Sequence, residues 1–251
     1  MPKLKKQDLQ APKGMHDILP ADQPAWAYLL KKAKTIVEDY GFERIDLPLV
    51  ETTGLFVRSV GEGTDIVEKE LYSFKTKGGE QLALRPEFTA GMVRAYLEHG
   101  MHVLPQPVQL WTWGQVFRHD NPQAGRFRQF NQIDLEMFGD ETSAADAQLI
   151  FVGYTILSSL GLKNLVVKIN SIGDQNCRPA YLKALKEFFR GRDKKLCTKC
   201  QNRLKTNILR VLDCKEEACQ EIGKDTPQFM DYLDDECKRH FKAKILQHKM
   251  S

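Results

Sequence analysis

Between positions 111 and 139 the chain reads WTWGQVFRHDNPQAGRFRQFNQIDLEMFG, two strand-forming runs separated by the turn residues Asn121, Pro122 and Gly125. This pattern predicts a long antiparallel hairpin, with the incoming strand ending at Arg118. Alternate side chains of a strand share a face. Arg126, Arg128, Phe130, Gln132, Asp134 and Glu136 therefore fall on one side, and Phe127, Ile133, Leu135 and Met137 on the other. The second set suits a core. The first, with two arginines, a ring, an amide and two carboxylates, suits an anionic, ring-bearing ligand. A solvated sheet face produces the same alternation, so spacing alone leaves both readings open.

With 251 residues, 42% of them hydrophobic, the chain can bury a core of one large domain or of a domain with an appendage. It holds no run of about 18 apolar residues, and the opening MPKLKKQDLQ lacks the apolar stretch of a signal peptide. The expectation is a cytoplasmic protein with no membrane contact. A net charge of +4 permits a polyanionic partner without requiring one.

Ahead of the hairpin, a basic tail and the irregular loop APKGMHDILP precede a helix. Pro24 suits its first turn, Trp26, Leu29, Leu30, Ala33, Val37 and Tyr40 recur at helical spacing, and Gly41 suits its C-terminal cap. FERIDLPLVE reads as extended, with Pro48 confining it to an edge, a bulge or an interface. LYSF and QLALRPE read as strands joined by a turn at Gly78 and Gly79, and a helix follows. That strand-to-helix junction carries Arg85, Glu87 and Thr89; either Thr89 caps the helix with a favourable acid near its start, which accounts for two of the three, or the residues serve a ligand. After the hairpin, Ser143 is expected to cap a helix whose Ala147, Ile150, Phe151, Tyr154 and Leu157 form its apolar stripe, and LVVKINS reads as another strand. Residues 1–173 are read as the main domain and 174–251 as a small, mainly helical appendage. His99 and His102 read as the solvent-facing end of a helix.

Five of the six cysteines lie between Cys197 and Cys237. In a reducing compartment they are thiols or metal ligands. Cys197 and Cys200 form a CxxC, and Cys214 and Cys219 follow, so four thiolates can converge on zinc or remain free; spacing does not decide the metal.

Taken in order, APKGMHDILP, GEGTDIVEKELYSF, LRPEFTAG, FRHDNPQAGRFRQFNQ, INSIGD and NILRVLDCKEEAC resemble segments of the histidyl-tRNA synthetase family, a class II aminoacyl-tRNA synthetase. The resemblance implies an α+β fold, a class II synthetase-like antiparallel sheet flanked by helices, incomplete here, with the helical appendage as an insertion. It implies ATP-dependent activation of L-histidine, transfer to tRNA-His, Mg²⁺ as a cofactor, and a homodimer built by the region around Pro48. The hairpin looks like motif 2. Arg118 would meet the ATP α-phosphate and the histidine carboxylate as the catalytic arginine, with Asp120 at the adenine amino group, Phe130 stacked on adenine and Arg126 at phosphate or the tRNA end. Glu87, Thr89, Gln132 and Glu136, with Arg118, match the histidine-binding positions.

The 251 residues hold no segment resembling the family's RGLDYY, motif 3 or anticodon-binding domain. The expectation is therefore a truncated synthetase with an unpaired sheet edge and exposed apolar surface, one that adenylates histidine poorly or not at all. Two other readings compete: a non-catalytic paralogue, such as the regulatory subunit of ATP phosphoribosyltransferase, and a tRNA-binding module without catalysis.

Overall fold

A computed structural model of the chain describes residues 10–61, 64 and 66–249. The basic tail before Gln10, and Glu62, Gly63 and Asp65 of the GEGTDIVEKE stretch, lie outside the described residues. Two compact units result, Met1–Glu141 with Leu149–Leu165, and Thr142–Gln148 with Val166–Ser251.

The first unit is α+β. Helix α1 (Gln23–Asp39) starts on Pro24, whose fixed φ suits a first turn, and ends where Gly41 takes a positive φ of 83°. Short strands β1 (Glu43–Arg44) and β2 (Val50–Thr52) flank Pro48, and α2 (Thr53–Val60) follows. Next come β3 (Ser73–Lys75), β4 (Gln81–Leu84), α3 (Thr89–Glu98), β5 (Val108–Phe117) and β6 (Gln129–Phe138). These strands form two three-stranded sheets, ordered β1-β5-β6 and β2-β4-β3. β5 and β6 are antiparallel in continuous register from Val108↔Phe138 to Phe117↔Gln129, while β1 pairs with β5 in parallel. Among the described residues β6 is a sheet edge, as expected.

The hairpin alternation holds from Phe130 onward. Ile133, Leu135 and Met137, with Trp111 and Trp113 across the register, pack on Ala33 and Val37 of α1 and on Val152 and Ile156 of α4 (Ser143–Ser159). On the opposite face, Leu110 and Val116 pack with Phe88 and Met92 of α3.

Three local expectations fail. LVVKINS forms no strand; Val166 and Val167 are 79% and 42% exposed. Its β-branched residues favour an extended chain, but a strand needs a partner edge, and none pairs with it among the described residues. In α4 the buried positions are Ala145, Val152 and Ile156, whereas Tyr154 and Leu157 are exposed. That helix is apolar nearly all round, so periodicity could not select the inward face. Its start is held by Thr142, whose Oγ1 accepts from the Ala145 N–H at 3.3 Å, and not by Ser143.

The second unit is helical, with α5 (Arg178–Phe189), α6 (Thr198–Thr206), α7 (Glu217–Gly223) and α8 (Asp235–Lys249) joined by 3₁₀ turns. Its core gathers Tyr181, Leu185, Phe189, Leu196, Ile208 and Val211 with Cys200, Cys214 and Cys219. No helix among the described residues is long and apolar enough to cross a membrane.

Candidate functional site

The polar face of the hairpin exists because its two strands contribute unequally. Across the register, Phe130, Gln132, Asp134 and Glu136 of β6 stand opposite Val116, Gly114, Thr112 and Leu110 of β5. Small or apolar partners leave the long polar side chains room above the sheet. Thr112 is fully buried, and its hydroxyl finds no hydrogen-bond partner among the described residues.

Beneath this face, Arg85 fastens the two sheets. Its Nε donates to the Gln115 carbonyl at 2.9 Å and its Nη1 to Leu47 and Pro48 carbonyls at 2.7 and 3.2 Å, while the guanidinium lies over the Phe88 ring at 4.4 Å. Burial lowers the pKa of this guanidinium, although Asp46 and Glu51 offset the effect. Gly114 makes that placement possible, because a Cβ there would stand 2.9 Å from Arg85 Nη2. Arg85 thus has a structural function that its position at the strand-to-helix junction did not disclose.

Glu87, Thr89, Gln132 and Glu136 come together, but with exchanged local duties. The Glu87 carboxylate accepts from the Ala90 N–H at 3.1 and 3.3 Å, so Glu87 holds the start of α3. Thr89, expected as the alternative cap, is the first helical residue and donates its hydroxyl to Glu136. Gln132 Nε2 donates to Asp134 Oδ2 at 3.2 Å. Burial, then the charges of Glu136 and Glu87, push the Asp134 carboxyl up to about 6. The Glu136 carboxyl is also raised, by burial foremost and further by Glu87, against the lowering effect of the Thr89 hydrogen bond. Three mutually repelling carboxylates on a half-buried face make a place for a cation. Asp134, part of the predicted face but not of the predicted ligand set, is central to it.

Next to this triad, Arg118 donates Nε to the Pro86 carbonyl at 2.9 Å and lies over the Phe130 ring at 5.2 Å. Among the described residues its terminal nitrogens enter no ion pair. Arg118, Asp120, Arg126 and Phe130 line one cavity of about 250 Å³, together with Glu70, Gly125 and Phe127. All four residues expected at ATP therefore share a cavity, and Glu70 joins them from a turn (Ile66–Glu70) far from the hairpin in sequence.

Arg126 reaches this cavity by a different route from the one expected. The incoming strand stops at Phe117 and β6 begins only at Gln129, so Arg126, Phe127 and Arg128 belong to the connecting loop and the strand alternation does not extend to them. Gly125, at φ 74°, turns the chain, Gln123 and Arg126 exchange backbone hydrogen bonds, and Arg126 Nη1 pairs with Asp120 Oδ2 at 3.0 Å. Phe127 is accordingly not core: it is 41% exposed and meets His16 edge-on at 4.8 Å. Arg128 braces the loop, donating Nε to the Asp120 carbonyl and its backbone N–H to Gly14. The APKGMHDILP loop is thereby pinned onto the turn end of the hairpin.

A family model described as histidyl-tRNA synthetase matches residues 14–180 of this chain. A histidine–tRNA ligase of Dehalococcoides mccartyi is 47% identical over 232 residues, 92% of this chain and 56% of that protein. The crystal structure of apo S. aureus histidyl-tRNA synthetase is 33% identical with a TM-score of 0.75, covering 95% of this chain and 54% of that one. A Bacillus halodurans structure described as an ATP phosphoribosyltransferase regulatory subunit/histidyl-tRNA synthetase, 20% identical at TM-score 0.65 over 99% of this chain and 66% of that one, shares the fold. That likeness is of fold alone, so the regulatory-paralogue reading is not favoured over the ligase. The chain spans about half the length of the curated relatives it matches. On these grounds the chain belongs to the histidyl-tRNA synthetase family.

Proposed function

We propose that this chain carries the hairpin floor of a histidine–tRNA ligase site, binding L-histidine beside ATP for adenylate formation and passage to tRNA-His. The observation that carries the reading is the juxtaposition of the Asp134 and Glu136 carboxylates of β6 with Glu87 just ahead of α3 and with Arg118 over Phe130. The carboxylates take the substrate's ammonium and orient its imidazole, with Thr89 and Gln132 fixing their geometry. Arg118 draws the histidine carboxylate and the ATP α-phosphate together, and its fixed positive charge offsets the charge that grows there during displacement. Phe130 stacks on adenine. Asp120 and Arg126 neutralise each other across 3.0 Å in the free site and exchange that partner for adenine and phosphate when nucleotide binds. No side chain becomes covalently attached. The histidine carboxylate attacks the α-phosphate, pyrophosphate leaves, and the tRNA 3′ end later displaces AMP.

Mg²⁺, when bound with ATP, supplies neutralisation of phosphate charge. With Asp120 given to adenine, Glu70 is the carboxylate lining the cavity that would hold this ion, which can take a single carboxylate and complete its shell with phosphate oxygens and water. Residues 1–173 act as the synthetase core and 174–251 as its helical insertion. The protein works in the cytoplasm as a homodimer built around Pro48.

Calorimetric titration of a non-hydrolysable ATP analogue, with and without saturating L-histidine, tests this reading. The expected result is saturable binding that histidine strengthens; absence of any histidine effect, in binding of either ligand, contradicts it.

A further inference from the structure

The helical unit holds a constellation that adenylation does not use. Cys197, Cys200, Cys214 and Cys219 bring their Sγ atoms within 4.8 Å of one another, with Cys197 and Cys214 at 3.9 Å. All four are free thiols, and 3.9 Å is far beyond a sulfur–sulfur bond of about 2 Å. Four thiolates around a single zinc, at about 2.3 Å each, stand about 3.8 Å apart, so small side-chain adjustments bring this set to a tetrahedron. The Cys197 N–H donates to Cys219 Sγ at 3.3 Å, a bond that suits a charged sulfur. Iron–sulfur clusters need a wider cage, and an all-thiolate tetrahedron favours a soft or borderline ion.

We propose that these four cysteines form a closed structural zinc site. Cys200, Cys219 and Cys214 are 0%, 2% and 8% exposed and sit within the core of Tyr181, Leu185, Phe189, Ile208 and Val211. With four protein ligands the ion has no open position and performs no chemistry on a substrate. It ties the CxxC at the start of α6 to Cys214 in the turn before α7 and to Cys219 on α7 itself, substituting for apolar volume that this small unit lacks.

A second group in the same unit shows what such a site is not. Asp174, Cys177, Asp234 and Cys237 also cluster within 4.8 Å. Their carboxylates are already engaged: Asp174 Oδ1 accepts from the N–H groups of Asn176 and Cys177 at 2.8 and 2.9 Å, and Asp234 Oδ1 from that of Cys237 at 2.8 Å. These aspartates order the turns ahead of α5 and α8, so this group serves as an internal control.

The experiment is elemental analysis of the full chain purified without chelator, together with Co²⁺ exchange spectra. The expected result is about one zinc per chain and, with Co²⁺, the intense charge-transfer bands of a tetrahedral tetrathiolate. Cys200→Ser weakens zinc retention against a chromogenic chelator by at least about tenfold, while Cys237→Ser leaves it unchanged. If Cys200→Ser does not fold, the wild-type Co²⁺ spectrum and the partly exposed Cys197→Ser variant decide. Metal-free protein that yields only an octahedral Co²⁺ spectrum, stoichiometric iron in place of zinc, or zinc lost from Cys237→Ser and kept by Cys200→Ser overturns the proposal.

Discussion

The sheet unit gathers three carboxylates and the helical unit four thiols, but they place them oppositely. Asp134 and Glu136 stand half-buried on an open strand face with half-buried Glu87 beside them, whereas Cys200, Cys214 and Cys219 lie inside a hydrophobic core. Carboxylates left on an open face keep much of their hydration and can wait for a cation that comes and goes, at the modest cost seen in the raised Asp134 carboxyl. Thiols are soft and nearly apolar when protonated, so a core tolerates them, and a metal there becomes a permanent part of the fold. The difference separates residues that determine ligand affinity from residues that determine stability.

Substitutions in either region test that separation. The largest effect is expected from Leu185→Ala, because Leu185 is fully buried at the centre of the helical core. A loss of about 3 kcal/mol in that unit's unfolding is predicted from denaturant titration, with histidine affinity changed less than about twofold. Arg118→Ala should do the reverse. It weakens ATP binding by about 100-fold while thermal stability moves little, because the one protein hydrogen bond its side chain makes is to the Pro86 carbonyl. A variant that loses stability and affinity together would dissolve the comparison. Gly114→Ala probes the boundary: a Cβ against Arg85 Nη2 displaces the fastening of the two sheets, for a predicted loss of about 2 kcal/mol, with ligand binding reduced as a consequence.

The smallest effect is pH-dependent. Because the folded protein holds the Asp134 proton more tightly than the unfolded chain, stability falls as pH rises from about 4 to 6, and the full penalty is present above 6. Asp134→Asn removes that penalty while retaining a carbonyl for Gln132. It should therefore gain about 1 kcal/mol at pH 8 relative to wild type and almost nothing at pH 4, measured by chemical denaturation, the figure being reduced for the solvent that still reaches the group.

Much of this site was legible because a strand's period of two is rigid. From Phe130 to Met137 each residue's face followed from its number, and the register confirmed it. Legibility ended where the period ended. Arg126, Phe127 and Arg128 were read as strand residues, yet Gly125 and the Gln123–Arg126 bridge reorient them, and no local alternation records such a turn. Glu87 and Thr89 exchanged expected duties because the helix begins one residue earlier than a Thr89 cap requires. Glu70 and Thr112 became visible only through tertiary placement, as did the burial of three of the four clustered cysteines. LVVKINS carried a strand's composition, but composition cannot supply a pairing edge.

The central claim is that the carboxylate face of the hairpin receives L-histidine. Calorimetric titration of L-histidine at pH 8 into wild type and Glu136→Gln tests it most directly, since the substitution keeps the Thr89 hydrogen bond and removes only charge. The account predicts one histidine per wild-type chain and affinity at least about tenfold weaker in the variant. Equal affinity in the two proteins, or no saturable binding to the wild type, would contradict it.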